Sequence, residues 1–595
     1  MKSKKFMLAG LVLLAITGLL ALTGCKNDTV PEPTRYTVSF DKGDNSEYTG
    51  DLPADITVVS RTKLTVEQLK VLDSTDNYIF EGWYDGETKA EGGTYTVTKD
   101  VTLVAKWRDR GTVASVTFSP VGDATVYYGD TVTLATATEG ATVQYHLGDG
   151  SWKDYDAGGK IQVTGDTTIT AKATKDGLKP SAETTATYTV RKLEGISVTP
   201  PARTVYSVGE EVVHKKDEKI EVTATYDDGT TRTVTGTITT DTRTLTQSAG
   251  IGKKVTVSYS EGGSPVTKDF TVDVVNVEKP TKLTSYSSPN HTGSERTYIA
   301  FGEWPQTEAV DFKPTTDPQS HGIFVENYYV EGNDKYVEED GNYYKVEPIV
   351  WRVLTTSYKA PEGGTAGNAL LLAESILTGG IPYYHFDREE GGLGGMRWSG
   401  PRIIGDKTIH PNNYEHSQIR AWLNGLSYQS KESEGATQSP KDEYKNAGFL
   451  QTAFTESARN LIADTTVDNS AASTTDAGSN LSQATDYACA NTTDKVFLLS
   501  EEEATTSEYG FAALDAAGQG NTRIRVTTDY AKATGAYQGD SSAGYGGWWW
   551  LRSPHYDIEY RARVVYSYGL ANNYLNYLVD NANGGVVPAL SISLQ

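Results

Sequence analysis

The chain has 595 residues, a formal net charge of −23 and 10% aromatic residues. Its length indicates several domains, and its acidic balance argues against nucleic acid as a partner because the phosphate backbone would repel it. Only Cys489 follows Cys25, so the domains must be held together by packing rather than by disulfide bonds.

The N-terminus has the pattern of an export signal. Three lysines precede the apolar run 6–22, and Leu22-Thr23-Gly24-Cys25 follows. This motif resembles the lipobox of bacterial lipoproteins, which implies a cleaved signal peptide 1–24, diacylglycerol and palmitate on Cys25, and a tether over 25–34. The implied location is the cell envelope, in the outer membrane or at the cell surface. The alternative, an uncleaved anchor helix, is disfavoured because about 17 apolar residues are at the short limit for a membrane span.

Removal of the leader deletes three lysines and no acid, so the mature chain carries −26. Residues 35–108 then alternate between apolar and polar positions, which predicts strands at 36–40, 78–84 and 101–107. The motifs FEGWY and DVTLVAKW resemble the Listeria–Bacteroides repeat of bacterial surface proteins. That resemblance implies a β-grasp-like fold in which Trp83 and Trp107 are structural.

Two further all-β modules are predicted. Residues 112–191 contain strand patterns at 113–118, 143–145 and 167–173 and resemble the immunoglobulin-like domain at the C-terminus of chitobiases. Residues 193–276 contain ATYDDGTT between two alternating runs, a hairpin signal, and resemble bacterial Ig-like domains. Both resemblances imply a β-sandwich. The Pro- and Ser-containing stretch 277–296 is interpreted as a linker.

Residues 297–595 are predicted to form one mixed α+β domain. The domain begins at 299–307, and apolar strands are expected at 348–354 and 369–373. Ser417 has the position of a helix cap before Ile419, Trp422 and Leu423, which share one helical face. Ser500 and Glu503 have the spacing of a capping box.

The motifs FGEWPQT, PIVWRVL, FLLSEEEA, WWLRSP, ARVV and VVPAL occur in this order in the same region. Together they resemble bacterial surface proteins with the C-type-lectin-like fold shared with formylglycine-generating enzymes. Some members are variable proteins of diversity-generating retroelements, in which altered codons place new side chains on the ligand-binding face. The overall fold class is therefore multidomain: a β-grasp-like repeat, two Ig-like sandwiches and a C-terminal α+β C-type-lectin-like domain.

The last fifty residues combine many Tyr, Asn and Asp residues. This composition is typical of binding surfaces, in which Tyr supplies large contact area at low entropic cost and Asn supplies adaptable hydrogen bonds. We therefore expect a ligand-binding face for an unknown protein or glycan, as in an adhesin. The alternative is a polar surface hairpin without a ligand. The predicted contact residues are His555, Tyr556, Asp557, Glu559, Tyr560, Tyr566, Tyr568, Asn572, Asn573, Tyr574, Asn576, Tyr577, Asp580 and Asn581.

Other residues in this region are expected to hold the frame. Most of the run Trp548-Trp549-Trp550 should be buried, because Trp is highly buried on average and strand neighbours point to opposite faces. Substituting frame residues should change stability, and truncating contact tyrosines should weaken binding with little change in melting temperature. The expected frame residues are Trp549, Leu551, Arg552, Arg563, Pro588 and Leu590.

The sequence contains none of the motifs GxSxG, HExxH, CxxC or Walker A. Formylglycine-generating relatives use a cysteine pair, and Cys489 has no partner after the leader; we interpret it as a small buried hydrophobe. We therefore predict no enzyme activity, no cofactor and no metal. An enzyme of the formylglycine-generating type, a carbohydrate-active protein and a purely structural envelope protein are the alternatives.

Overall fold

The computed structural model describes residues 31–593 except 157, 211, 213–219, 291–295, 359–366, 385–401, 405–406, 429–443, 475–486, 513–516, 519, 557 and 572–575. The chain divides into two compact units, Met1–Arg191 and Lys192–Gln595. Both are built mostly of β-strands, several of which form sandwich-like pairs of sheets. None of the helices in the described ranges has the length and apolar character needed to cross a membrane.

The first unit begins with one five-stranded sheet. Its strands occur in the order β2-β1-β5-β3-β4, with β1 and β5 parallel. Trp83 is buried in its core and donates its ring N–H to the Lys70 carbonyl at 2.8 Å, so it is structural as predicted. The strands are β1 Arg35–Asp41, β2 Ile56–Val59, β3 Tyr78–Asp85, β4 Thr88–Lys89 and β5 Val101–Asp109.

The rest of the first unit is a two-sheet sandwich. A five-stranded sheet, β10-β9-β12-β13-β7, faces a three-stranded sheet, β11-β8-β6. In β12 the buried residues Ile169, Ala171 and Ala173 alternate with half-buried ones, as the sequence predicts for a strand with one core face. The strands are β6 Val116–Ser119, β7 Ala124–Val126, β8 Thr131–Thr136, β9 Thr142–Leu147, β10 Lys153–Tyr155, β11 Ile161–Gln162, β12 Thr167–Thr174 and β13 Thr184–Val190.

The second unit opens with another sandwich, which we call the third module. Its sheets are β14-β16-β17 and β15-β20-β19-β18. The turn at Asp227-Asp228-Gly229 joins β16 to β17 as an antiparallel hairpin, as predicted. The elements are β14 Leu193–Thr199, β15 Val205–Ser207, β16 Glu221–Tyr226, β17 Thr231–Val234, β18 Thr237–Ile238, α1 Thr242–Thr246, β19 Gly250–Tyr259 and β20 Val266–Val275.

The segment 277–296 was expected to be a linker, and its residues 277–290 pack against both neighbouring regions. Its strand β21, Thr281–Lys282, pairs with β22, Tyr298–Glu308. Leu283 is buried with Val205 and Val275 of the third module and with Tyr298. The fully buried Asp273 carboxylate accepts the backbone N–H groups of residues 284 and 285 at 2.7 and 2.8 Å. The third module and the C-terminal region are therefore joined by a packed segment.

A nine-stranded sheet dominates the C-terminal region. Seven strands follow the order β23-β24-β25-β26-β27-β38-β33, and β22 pairs with β26 and β21. The two apolar strands predicted from the sequence lie in β26 and β27, and the segment predicted to begin the domain lies in β22. The strands after β22 are β23 Gln319–His321, β24 Phe324–Glu331, β25 Asp334–Glu339, β26 Asn342–Tyr358, β27 Asn368–Ala373, β28 Ser375–Ile376, β29 Arg402–Ile404, β30 Lys407–Ile409, β31 Thr465–Val467, β32 Thr492–Asp494, β33 Val496–Phe497, β34 Val526–Thr527, β35 Trp549–Pro554, β36 Arg561–Val565, β37 Asn576–Leu578 and β38 Ala589–Ser593.

Short helices pack around the sheets of this region, and their caps follow the sequence signals. The Ser417 hydroxyl accepts the Arg420 N–H at 3.2 Å at the start of α2, and both halves of the predicted capping box form between Ser500 and Glu503 at α6. The helices are α2 Gln418–Asn424, α3 Phe449–Ala453, α4 Glu456–Arg459, α5 Ala471–Thr474, α6 Glu501–Thr505 and α7 Asp529–Ala533, with 3-10 turns at Ser507–Tyr509 and Ser541–Ala543.

Candidate ligand-binding face

The predicted contact residues lie on and around a three-stranded sheet with the order β35-β36-β37. Trp549 pairs with Val565 at one end, and Pro554 pairs with Ala562 at the other. Tyr577 of β37 lies opposite Ala562. The short strands therefore bring the segments 549–554, 561–565 and 576–578 together in one small sheet.

The frame of this sheet is fully buried. Trp548 is 4% exposed, and Trp549, Trp550 and Leu551 are not exposed, which confirms the prediction for the tryptophan run. The Trp549 ring N–H donates to the Arg523 carbonyl at 3.1 Å. The sheet is thus a rigid support for the residues at its surface.

Two buried arginines tie the frame to α6. Arg552 donates to the Leu498 carbonyl at 2.8 Å and pairs with Glu503, and Arg563 lies 3.3 Å from the Glu501 carboxylate. Burial by itself raises the pKa of Glu503, but the Arg552 charge and the hydrogen bonds to the carboxylate outweigh it and lower that pKa below its usual value. Glu503 is therefore held as a carboxylate inside the domain.

Four aromatic rings next to this frame form a continuous group, which we call the aromatic ladder: Trp548, Tyr577, Tyr566 and Tyr568. Tyr577 stacks on Trp548 with ring centroids 4.2 Å apart and on Tyr566 at 5.7 Å. The Tyr566 and Tyr577 hydroxyls are 2.8 Å apart, and Tyr568 packs on Tyr566 at 5.4 Å. The three tyrosines are half-buried, so each remains partly accessible to solvent.

A tight turn positions the end of the ladder. The Gly569 N–H donates to the Tyr566 carbonyl at 2.8 Å, and Gly569 has φ of +84°. A Cβ at Gly569 would lie 2.4 Å from Asn521. Both the left-handed backbone and the close approach require glycine here.

A second group of predicted residues lies in the turn between β35 and β36. His555 is buried and stacks on Tyr556 at 4.7 Å, and the Arg563 guanidinium lies 5.6 Å from the Tyr556 ring centre. The Glu559 carboxylate is 3.0 Å from the His410 ring nitrogen. This turn is thus anchored to the loop around residue 410.

The remaining predicted residues are in different surroundings. Tyr560, Asn576, Asp580 and Asn581 are half-buried, and Asn576 accepts a hydrogen bond from Arg561 at 2.9 Å. Asp557, Asn572, Asn573, Tyr574 and the lipidation residue Cys25 lie outside the described residues.

Two observations extend what the sequence indicates about the face. Tyr545 packs edge-on against Tyr568 at 6.0 Å, and His410 pairs with Glu559. Tyr545 and His410 were not among the predicted contacts, because both lie outside the Tyr- and Asn-rich segment. In addition, Tyr566 and Tyr577 pack against the hydrophobic core, so we expect their truncation to lower the melting temperature as well as to weaken binding, which revises the expectation from the sequence.

Cys489 packs against the same core, and burial raises the pKa of its thiol to about 11. The half-buried Cys489 thus has the surroundings of a small packed hydrophobe and differs from a reactive cysteine, whose pKa is lowered. In the described ranges, no group of three or more His, Cys, Asp or Glu residues is arranged to hold a metal ion.

The fold and the face define a mostly β, multidomain protein that ends in a compact domain with an aromatic surface. Residues 366–594, which contain the whole ladder, match the family described as "Domain of unknown function (DUF6273)". No curated protein is significantly similar in sequence to this chain.

Two solved structures are distantly similar. Domains 4–9 of the surface layer protein SbsC have 14% identity and a TM-score of 0.14, over 44% of this chain and 45% of that one. The rhamnogalacturonan lyase PL11 of Bacillus licheniformis has 9% identity and a TM-score of 0.10, over 45% of this chain and 49% of that one. The chain thus spans less than half of either structure, and TM-scores this low do not establish a shared fold.

Proposed function

We propose that this protein is an exported lipoprotein, anchored through Cys25, whose C-terminal domain binds a ligand at the cell surface. The observation that carries the proposal is the aromatic ladder: half-exposed tyrosines held on a frame whose residues are fully buried. Binding surfaces are enriched in Tyr, because a tyrosine held on a rigid support loses little side-chain conformational entropy on association. The protein is a receptor or adhesin rather than a catalyst.

The ladder favours a protein ligand over a glycan. Tyr577 already stacks on two neighbouring rings, and the Tyr566 and Tyr577 hydroxyls are hydrogen-bonded to each other. The group therefore offers ring edges and hydroxyls more than free ring faces. Such amphipathic edges suit the mixed apolar and polar surface of a protein.

The resemblance to C-type-lectin-like variable proteins supports the same proposal. A diversified domain needs buried frame residues that are separate from its variable surface residues, because the frame must tolerate many surface sequences. The buried frame and the Tyr-rich surface of this domain have that arrangement. Sequencing the flanking DNA tests this part. We expect a reverse transcriptase gene nearby. We also expect a near-copy of codons 548–590 that differs from them only at adenines in the copy. Their absence would leave a binding domain of fixed specificity.

Binding itself is tested on arrays of cell-surface proteins and of glycans with the full chain. A protein ligand is expected, and Tyr568→Ala should weaken its binding about 30-fold, the equivalent of about 2 kcal/mol for a central contact. Tyr84→Ala, which removes a half-buried tyrosine of the first unit, is the matched control and should leave binding unchanged. Failure of both arrays to yield a ligand would favour a purely structural envelope protein.

Lipidation is tested separately by metabolic labelling with a palmitate analogue. The parent protein should be labelled, and Cys25→Ala should abolish the label and shift the protein to the soluble fraction. A labelled Cys25→Ala variant would contradict the anchor.

A further inference from the structure

A cleft lies inside the second unit, between the third module and the C-terminal region. Its volume is about 350 Å³, within the range of about 300–1,000 Å³ that small-ligand sites occupy. It shares no lining residue with the aromatic ladder. Its apolar walls are aliphatic: Val205, Pro348, Val350, Leu377 and Val526.

The charged groups of the cleft are paired with one another. Arg203 lies 3.2 Å from Glu347, and Lys532 lies 3.0 Å from Asp529. The Glu347 carboxylate also accepts the Thr307 hydroxyl at 3.0 Å. These two cations and two anions balance, and a charged ligand would have to compete with an existing ion pair. The cleft therefore favours an uncharged ligand.

Neutral polar groups complete the lining. Ser287 and Ser375 contribute hydroxyls, and Gln306 donates its amide N–H groups to the carbonyls of residues 347 and 348 at 3.2 and 3.1 Å. That arrangement leaves the Gln306 side-chain oxygen as an acceptor for a ligand N–H. These groups suit the N–H and C=O groups of a peptide backbone.

A sugar is a poorer match. Tyr286 is the one aromatic ring among the lining residues that the structure describes, and it packs edge-on against Tyr298 at 5.0 Å. Burial raises the pKa of its hydroxyl well above the usual value. The half-buried ring is thus held against Tyr298, which limits how much of it a pyranose could stack on.

We propose that this cleft binds a short, uncharged peptide segment through an aliphatic side chain. The side chain packs between the aliphatic walls, and the flanking amides bond to the serine hydroxyls and to Gln306. The position between two packed domains is a common one for ligand sites. This site is independent of the aromatic ladder, so either can fail without the other.

The test uses N-acetyl-L-leucinamide as the probe, with saturation-transfer difference NMR on the full chain. This method detects the millimolar affinities expected of a ligand this small. Saturation of the leucyl methyl groups is expected. Ser375→Trp and Ser287→Trp fill the cleft and should each lower that signal at least fivefold, whereas Ser357→Trp, at an exposed position on β26 outside the cleft, should leave it unchanged.

Ser287 is exposed, so its variant keeps the test valid if Ser375→Trp does not fold. An equal signal in a folded cleft-filled variant would overturn the proposal, as would the absence of saturation in the parent. Methyl β-glucopyranoside is the competing probe. Saturation of the glucoside without saturation of the leucyl methyls would assign the cleft to sugars instead.

Discussion

Glu210→Ala should destabilise the second unit because Glu210 holds the third module to the C-terminal region. Its side chain is 3% exposed and pairs with Arg203 and, at 2.8 Å, with Lys345 of β26. Removing one partner of a buried ion pair costs about 3–5 kcal/mol. In the variant, each cation would still have a second ion-pair partner: Arg203 lies 3.2 Å from Glu347, and Lys345 lies 3.5 Å from Asp334. We therefore expect a smaller loss, about 2–3 kcal/mol in the free energy of unfolding.

The assay is urea unfolding of the full chain, followed by tryptophan fluorescence. Trp83, Trp107 and Trp152 lie in the first unit and the other seven in the second, so the signal reports mainly on the second unit. Glu221→Ala removes an exposed acid of the same module and should change stability by less than about 0.5 kcal/mol. A Glu210→Ala variant as stable as the Glu221→Ala control would refute the role of this ion-pair group.

The same contact should make stability depend on pH. Burial raises the pKa of Glu210, but the charges of Arg203 and Lys345 outweigh it, so the folded-state pKa lies below its ordinary value of 4.5. A lowered folded-state pKa stabilises the fold above pH 4.5, and that contribution disappears as the pH falls through the folded-state value. Glu210→Gln should therefore lose less stability than the parent when the pH is lowered below 4.5. Equal losses would contradict the assignment.

Three further predictions concern the candidate face and its surroundings. Arg563→Ala leaves the Glu501 carboxylate buried beside it and should lower the free energy of unfolding by about 3 kcal/mol. A loss below about 1 kcal/mol in urea unfolding would contradict this prediction. Gly569→Ala places a Cβ against Asn521 and requires alanine to adopt a left-handed backbone conformation. The melting temperature should therefore fall by several degrees, and ligand binding should weaken. An unchanged melting temperature would show that the turn can relax. The half-buried Cys489 should react with a thiol reagent at pH 8 much more slowly before denaturation than after it, because a thiol of pKa about 11 is almost wholly protonated there. Rapid labelling of the native protein would contradict the raised pKa.

Local sequence determined most of the regular structure. Alternating residues predicted strands such as β12, and side chains that bond to their own helix predicted the caps at Ser417 and Ser500. These features depend on neighbours within a few positions, so a single sequence is enough to find them. The burial of Trp548-Trp549-Trp550 was predictable in the same way, from residue type and strand periodicity.

Tertiary structure alone decided which distant residues meet. Arg203 and Glu347 are 144 positions apart, and no local pattern marks either as a partner of the other. The stacking of Tyr577 on Trp548 likewise depends on how β37 pairs with β36, which the composition of a Tyr-rich segment does not specify. Periodicity determines which face of a strand is buried, whereas the partner across an interface depends on the packing of the whole domain. The identity of the frame residues was therefore readable in the sequence, but the aromatic ladder and the cleft beside the third module emerged only with the fold.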